Sequence, residues 1–233
     1  MLVSRLHGFA LLRTRKTGGT SVEMALQPLC APGRPVAERQ RAIVTEAGVV
    51  GARLIGREEA TALDREWPPH LPAVEMARRL PDWGALLKVT TVRDPFDRMV
   101  SAFHWEREVR ALPPLAPEDE VAAFRLFVAS GWWEDDFDAV HVEGRFQPDM
   151  CLRHERLAAD LAALARRLGV GPLSLPHAKP TRARRRVPLA ECYDRASIRV
   201  VRDRLAWVFE RFGYAPEPGA EPDGPRGALK GAA

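Results

Sequence analysis

The apolar positions of this chain fall into two strand-like runs, each followed by a polar turn and a stretch with helical spacing. The first run, HGFALLRT at 7–14, is apolar with polar ends, the pattern of a buried strand. TSVEMALQPL at 20–29 predicts the helix after it; Thr20 or Ser21 can cap its start, and Pro28 lies near its end. The second run, ALLKVTTV at 85–92, is again strand-like, and RDPFDRMVSAFHWEREVR at 93–110 predicts the next helix. Asp94 suits its N-cap and Pro95 its first helical position.

The rest of the chain is less regular. AIVTEAGVVGARLIG holds a strand or two, WPPHLP at 67–72 is a proline-stiffened loop, and 73–80 predicts a short helix stopped by Pro81. Residues 121–130 read as an apolar helix, followed by the aromatic, acidic loop GWWEDDFDAVH. Residues 148–170 predict a helix with a short strand near 151–153. Leu157, Leu161, Leu164 and Leu168 form its apolar stripe, and Gly169 stops it. A basic loop at 174–189 leads to a last helix at about 190–212, with Ile198, Val201, Leu205, Val208 and Phe212 on one face. Pro and Gly dominate 215–233, which predicts a disordered tail. Two strand–helix units with buried-type strands predict a single α/β domain over 1–214, built on a parallel sheet.

Composition narrows the function classes. The 35 Lys and Arg against 31 Asp and Glu give a formal charge of +4, an excess that suits an anionic ligand without demanding nucleic acid. The basic loop lacks the interleaved aromatics of an RNA-binding module, so no nucleic-acid partner is expected. The three cysteines, Cys30, Cys151 and Cys192, include no C-x-x-C pair; neither a disulfide framework nor a zinc site is expected. MLVSRLHGFALL is too short and too interrupted by charge for a signal peptide or membrane helix, so the expectation is a cytoplasmic protein with no membrane span and no metal.

The chemistry concentrates in two places. Between the first strand and helix lies RTRKTGGTS. Glycines at Gly18 and Gly19 let backbone N–H groups converge on one point, and the helix N-terminus adds partial positive charge. Lys16 supplies a full charge beside Arg15, and Thr17, Thr20 and Ser21 supply hydroxyls. In a Walker A loop the lysine follows the glycines; here it precedes them, which disfavours an ordinary nucleoside triphosphate. At the end of the second strand stands Arg93, where α/β sheets bind ligands. Asp94, Arg98 and Ser101 recur at i, i+4 and i+7, so they share a helix face, and Arg93 with Ser101 can address one phosphate.

KTGGTS after one strand and VRDPFDRMVSA across another resemble the two signature segments of sulfotransferases, in particular the carbohydrate 2-O-sulfotransferase-like and bacterial group. CLRHERLAADLAALARRLGV, the basic loop at 177–182 and the terminal VFERFGY resemble the C-terminal part of that group. The chain departs from it at Arg15, where relatives commonly have proline. The resemblance implies a P-loop-NTPase-like three-layer fold with a central parallel sheet flanked by helices. It implies 3′-phosphoadenosine 5′-phosphosulfate (PAPS) as co-substrate, 3′-phosphoadenosine 5′-phosphate (PAP) as product, and a hydroxyl-bearing acceptor such as a carbohydrate or glycolipid. The donor site implied is Arg15, Lys16, Thr17, Gly18, Gly19, Thr20 and Ser21 at the 5′ end. Arg93 and Ser101 fall at the 3′-phosphate, and Lys179, Thr181 and Arg182 close over the nucleotide.

Catalysis then needs a positive group at the leaving phosphate, assigned to Lys16, and a base for the acceptor hydroxyl. His70, in WPPHLPA ahead of the second strand, matches the place of the catalytic histidine in the carbohydrate 2-O-sulfotransferases. His104, Glu23 and Glu38 are alternatives. His154 and Glu155 read as surface residues. Trp132 and Trp133 are offered as stacking partners for a sugar. Two other functions fit parts of the pattern: a nucleotide kinase or NTPase with a non-standard phosphate loop, and a nucleotide-binding module without catalysis.

Overall fold

The computed structural model describes residues 1–176 and 187–220. Its strands are β1 (Leu2–Ser4), β2 (Phe9–Leu12), β3 (Ile43–Val44), β4 (Gly48–Val50), β5 (Leu87–Val92), β6 (His141–Val142), β7 (Arg145–Phe146) and β8 (Met150–Arg153). Its helices are α1 (Gly19–Cys30), α2 (Ala62–Glu66), α3 (Ala73–Arg79), α4 (Pro95–Val109) and α5 (Pro117–Ser130), then α6 (Phe137–Val140), α7 (Leu157–Arg167), α8 (Leu189–Cys192), α9 (Arg195–Arg204) and α10 (Ala206–Phe212). The described residues divide into two compact units: 1–92 with 136–176, and 93–135 with 187–220.

The first unit is built on a six-stranded sheet in the order β3-β4-β1-β2-β5-β8. β2, β5 and β8 run parallel, with Leu12 opposite Thr90 and Val92 opposite Arg153. The sheet is mixed, not parallel throughout as the sequence reading expected. β1 turns back through residues 5–8 onto β2 and pairs antiparallel with both β2 and β4. Three-residue strands are too short for any periodicity to reveal, and β3, β4 and β1 all fall at or below that length.

Helices α1 and α7 cover one face of this sheet. Val22, Leu26 and Cys30 recur at helical spacing on α1 and meet Phe9, Leu11 and Val89 of the strands and Leu161 and Leu164 of α7 in one buried cluster. Each such fully buried aliphatic side chain stabilises by about 1.5–3 kcal/mol. Ala10 and Leu12, pointing the other way from β2, are also fully buried. A strand buried on both faces explains why its sequence is continuously apolar rather than alternating. The predicted leucine stripe at 157–168 joins this cluster, with Leu157 and Leu168 at its margin. The helix carrying it is shorter than expected, because 150–153 belong to β8 and His154–Arg156 form a 3-10 turn.

The described residues of the second unit carry helices only. Phe96, Met99 and Phe103 of α4, Phe124 and Val128 of α5, and Tyr193, Val201, Leu205 and Val208 share one core. Phe124 meets Tyr193 edge-on at 4.9 Å between centroids, and the Tyr193 hydroxyl donates to the Phe96 carbonyl at 2.7 Å. The single helix expected at 190–212 is three. Asp194 accepts from the Ser197 N–H at 2.8 Å while Ser197 Oγ accepts from the Asp194 N–H at 2.9 Å, a capping box that starts α9 afresh. A second joint falls at Leu205, next to Arg204, whose guanidinium donates to the Gly131 and Trp133 carbonyls and lies over the Trp133 ring at 4.2 Å. Of the tail expected at 215–233, residues 215–220 are described, with Ala215 and Pro218 buried; 221–233 lie outside the described residues.

Among the described residues no helix is long and apolar enough to cross a membrane.

Candidate active site

The carboxyl ends of β2 and β8 lie at the same edge of the parallel part of the sheet, where such sheets bind ligands. The chain leaves β2 at Leu12 and must turn sharply to enter α1. Two left-handed residues make the turn: Gly18 at φ 85° and, without the licence of glycine, Lys16 at φ 63°. Gly18 is doubly required, since a Cβ there would lie 2.9 Å from Leu157 Cδ2 and 3.2 Å from His154 Cδ2. Lys16 pays the steric penalty of a left-handed side-chain-bearing residue, on the order of 1–2 kcal/mol, and such strain persists where the surroundings over-determine it.

The over-determination comes from three threonines. Thr14 Oγ1 donates to the Thr91 carbonyl at 2.6 Å and lies 2.9 Å from Thr17 Oγ1, which lies 2.6 Å from Thr91 Oγ1. All three are buried. Their hydroxyls satisfy one another out of water and pin the loop to β5. Thr17, expected to face the nucleotide, is thus turned inward. Arg15 is also engaged within the protein: its backbone N–H donates to Asp136 Oδ2 at 2.6 Å and its guanidinium pairs with Oδ1 of the same fully buried carboxylate.

Helix α1 begins on Gly18 with no side chain capping it and no acidic residue in its first turn. Gly19 is buried at this start, and Thr20 and Ser21 are half-buried. Thr20 Oγ1 accepts from Arg13 Nη2 at 2.6 Å. The other arm of the same guanidinium donates to Glu23 Oε2 at 2.7 Å. Glu23 is fully buried, with Arg53 Nη1 3.9 Å away. Its other oxygen accepts from the Met1 amino group, and Arg13, that amino group and Arg53 together outweigh the burial penalty on its carboxyl and hold it below the usual carboxylate range. A carboxylate so committed is an anchor rather than a base.

His70 reaches this loop from 57 residues away. Its Nδ1 lies 3.1 Å from the Arg13 carbonyl oxygen. A carbonyl only accepts, so Nδ1 carries the hydrogen. Burial, then the neighbouring Arg13 and Arg15 charges, hold the His70 pKa well below its ordinary 6.5. The ring is therefore neutral near pH 7, with its lone pair on Nε2. That nitrogen can accept a proton.

The second signature segment opens the second unit. Arg93 follows the last residue of β5 and is mostly buried; its Nε donates to Asp97 Oδ2 at 2.8 Å. Asp94 caps α4, accepting from the Asp97 N–H at 2.9 Å, as its position predicts. Arg98 is buried and donates to the Glu134 carbonyl at 2.7 Å. Ser101 is buried on α4, on the face of Arg98. His104 lies 3.6 Å from Glu120 Oε1; burial first, and then Arg107, lower its pKa despite that carboxylate. It lines a small cavity with Val100, Phe103, Phe124 and Cys192, in which Glu120 is the other charged side chain. Trp133 is buried in the core, donating to the Val128 carbonyl at 3.1 Å, while Trp132 is exposed. The stacking role offered for the pair is therefore open to Trp132 alone. Lys179, Thr181 and Arg182 lie outside the described residues.

The sequence reading missed two residues at the loop. Arg13 was passed over as the polar end of a strand, although its place three residues before Lys16 set it at the turn. His154 was read as a surface residue, yet its ring packs against Gly18. The parallel register that brings the end of β8 to this edge is a property of the sheet, and no local pattern announces it. Among the described residues no group of three or more His, Cys, Asp and Glu side chains is arranged to hold a metal. Comparison of the chain with protein-family models, with curated proteins and with solved structures finds no match.

Proposed function

We propose that the chain is a PAPS-dependent sulfotransferase that moves a sulfuryl group onto a hydroxyl, with a carbohydrate or glycolipid as the acceptor class. The observation that carries this reading is the meeting of His70 with the glycine-rich loop, through the hydrogen bond to Arg13. It puts a neutral imidazole with an unprotonated Nε2 beside the turn that carries Lys16, ahead of an α1 start with no side-chain cap. An anion fits that start: the first-turn amides and the helix dipole attract it, and the first turn carries no acidic side chain.

In this reading Nε2 of His70 takes the acceptor proton as the acceptor oxygen bonds to sulfur. The bond between sulfur and the bridging oxygen breaks, and its electron pair leaves with the 5′-phosphate of PAP. Lys16 neutralises the charge that grows on that oxygen, and the α1 amides hold the non-bridging oxygens. The inward turn of Thr17 and the pairing of Arg15 with Asp136 make these two residues supports of the loop's shape. Arg93 and Ser101 enter as ligands of the 3′-phosphate through the sequence pattern, and Lys179, Thr181 and Arg182 through the basic loop.

Calorimetric binding of PAP tests the reading, with ATP and AMP as controls. Micromolar binding that needs the 3′-phosphate and no Mg²⁺ is expected, followed by sulfuryl transfer in a screen of hydroxyl acceptors. Absence of PAP binding, or a preference for Mg·ATP, overturns it.

A further inference from the structure

Arg13 sits where three features of the loop join. Its guanidinium spans Glu23 Oε2 at 2.7 Å and Thr20 Oγ1 at 2.6 Å, residues one helical turn apart on α1. Its carbonyl receives the His70 Nδ1 hydrogen bond. One residue therefore clamps the exit of β2 to the first turns of α1 and presents the acceptor that orients His70.

Stability alone is a poor account of this clamp. A buried ion pair adds little net stability over an apolar pair of similar volume. This one also leaves Arg13 Nε buried with no hydrogen-bond partner among the described residues. A free neutral imidazole prefers its hydrogen on Nε2; an acceptor fixed at Nδ1 reverses that preference. The acceptor here is a backbone carbonyl in an irregular segment; Thr14 ties that segment to β5, and the Arg13 side chain ties it to α1.

We infer that Arg13 is a positioning residue: locked between Glu23 and Thr20, it holds the carbonyl that selects the His70 tautomer with an unprotonated Nε2. The inference rests on the proposed role of His70 as base. The guanidinium charges acting on the ring are those of Arg13 and Arg15, and with burial they favour its neutral form whichever nitrogen holds the hydrogen. The choice of nitrogen falls to the hydrogen bond.

Long-range ¹H–¹⁵N NMR of the full chain reads the ring directly. The wild-type protein is expected to show His70 with hydrogen on Nδ1. Arg13→Met, checked for folding by circular dichroism, should shift the ring toward the Nε2–H form and raise its titration midpoint. The kcat for sulfuryl transfer should fall about 10- to 100-fold with the donor KM within about twofold, because misorientation lowers turnover rather than binding. Arg13→Lys keeps the charge but not the two-pronged grip. It carries the test if the methionine variant does not fold, and it should also lose Nδ1–H population. An unchanged tautomer in whichever variant folds overturns the inference. A ring that responds as expected in a protein without sulfuryl-transfer activity upholds the positioning role and removes the sulfotransferase reading instead.

Discussion

Lys16 concentrates the functional claim at the scale of single residues. Its left-handed backbone lies in a loop that the buried threonine chain pins to β5 and that turns again at Gly18. Lys16→Ala, checked for folding by circular dichroism, should lower kcat about 10²- to 10³-fold, the usual loss when one preorganised charge-stabilising donor is removed. Turnover equal to wild type in an acceptor assay would sink the assignment. The types and places of the loop residues were legible in the sequence. Lys16, Gly18, Gly19 and His70 are recognisable by type and place. The direction in which Arg15 and Thr17 point was not. A side chain's direction depends on its partners, and Asp136 and Thr91 are distant in sequence.

Elements were readable in proportion to their length and their end signals. The helices at α4 and α1 announce themselves through Asp94 and Pro95 or through the Gly18–Gly19 turn, and their observed bounds lie within two residues of those expected. The C-terminal helix was overextended because its apolar stripe continues across a break. The signal of that break, Asp194 three residues before Ser197, was present but outweighed by the stripe. The capping box predicts that Asp194→Ala lowers stability by about 1 kcal/mol, the typical loss of a side-chain N-cap. Its urea midpoint should drop without a change in slope. A midpoint equal to wild type would mean that packing of Val201 and Leu205 alone starts α9.

Across the whole molecule, buried ionisable groups tie stability to pH. The folded pKa of His70 lies below 6.5, chiefly through burial, so the unfolded chain protonates first as pH falls. Stability from this group is complete above about pH 6.5 and is lost progressively as pH drops from there through the lower folded value. Melting temperature should therefore decline between pH 7 and pH 5, and His70→Asn should flatten that decline; an equal slope in both proteins would exclude His70 as its source. The sequence by itself determined the α/β class, the buried strands β2 and β5, and the placing of a glycine turn and an arginine directly after them. Those features follow from local hydrophobic period and turn chemistry, which neighbouring residues are enough to specify. Only the tertiary structure decided that the sheet is mixed, that the described chain divides into two units, and that His70, Arg13 and Glu23 converge on one loop. Strand pairing and the burial of charge depend on contacts between residues far apart in the chain, and no local pattern encodes them.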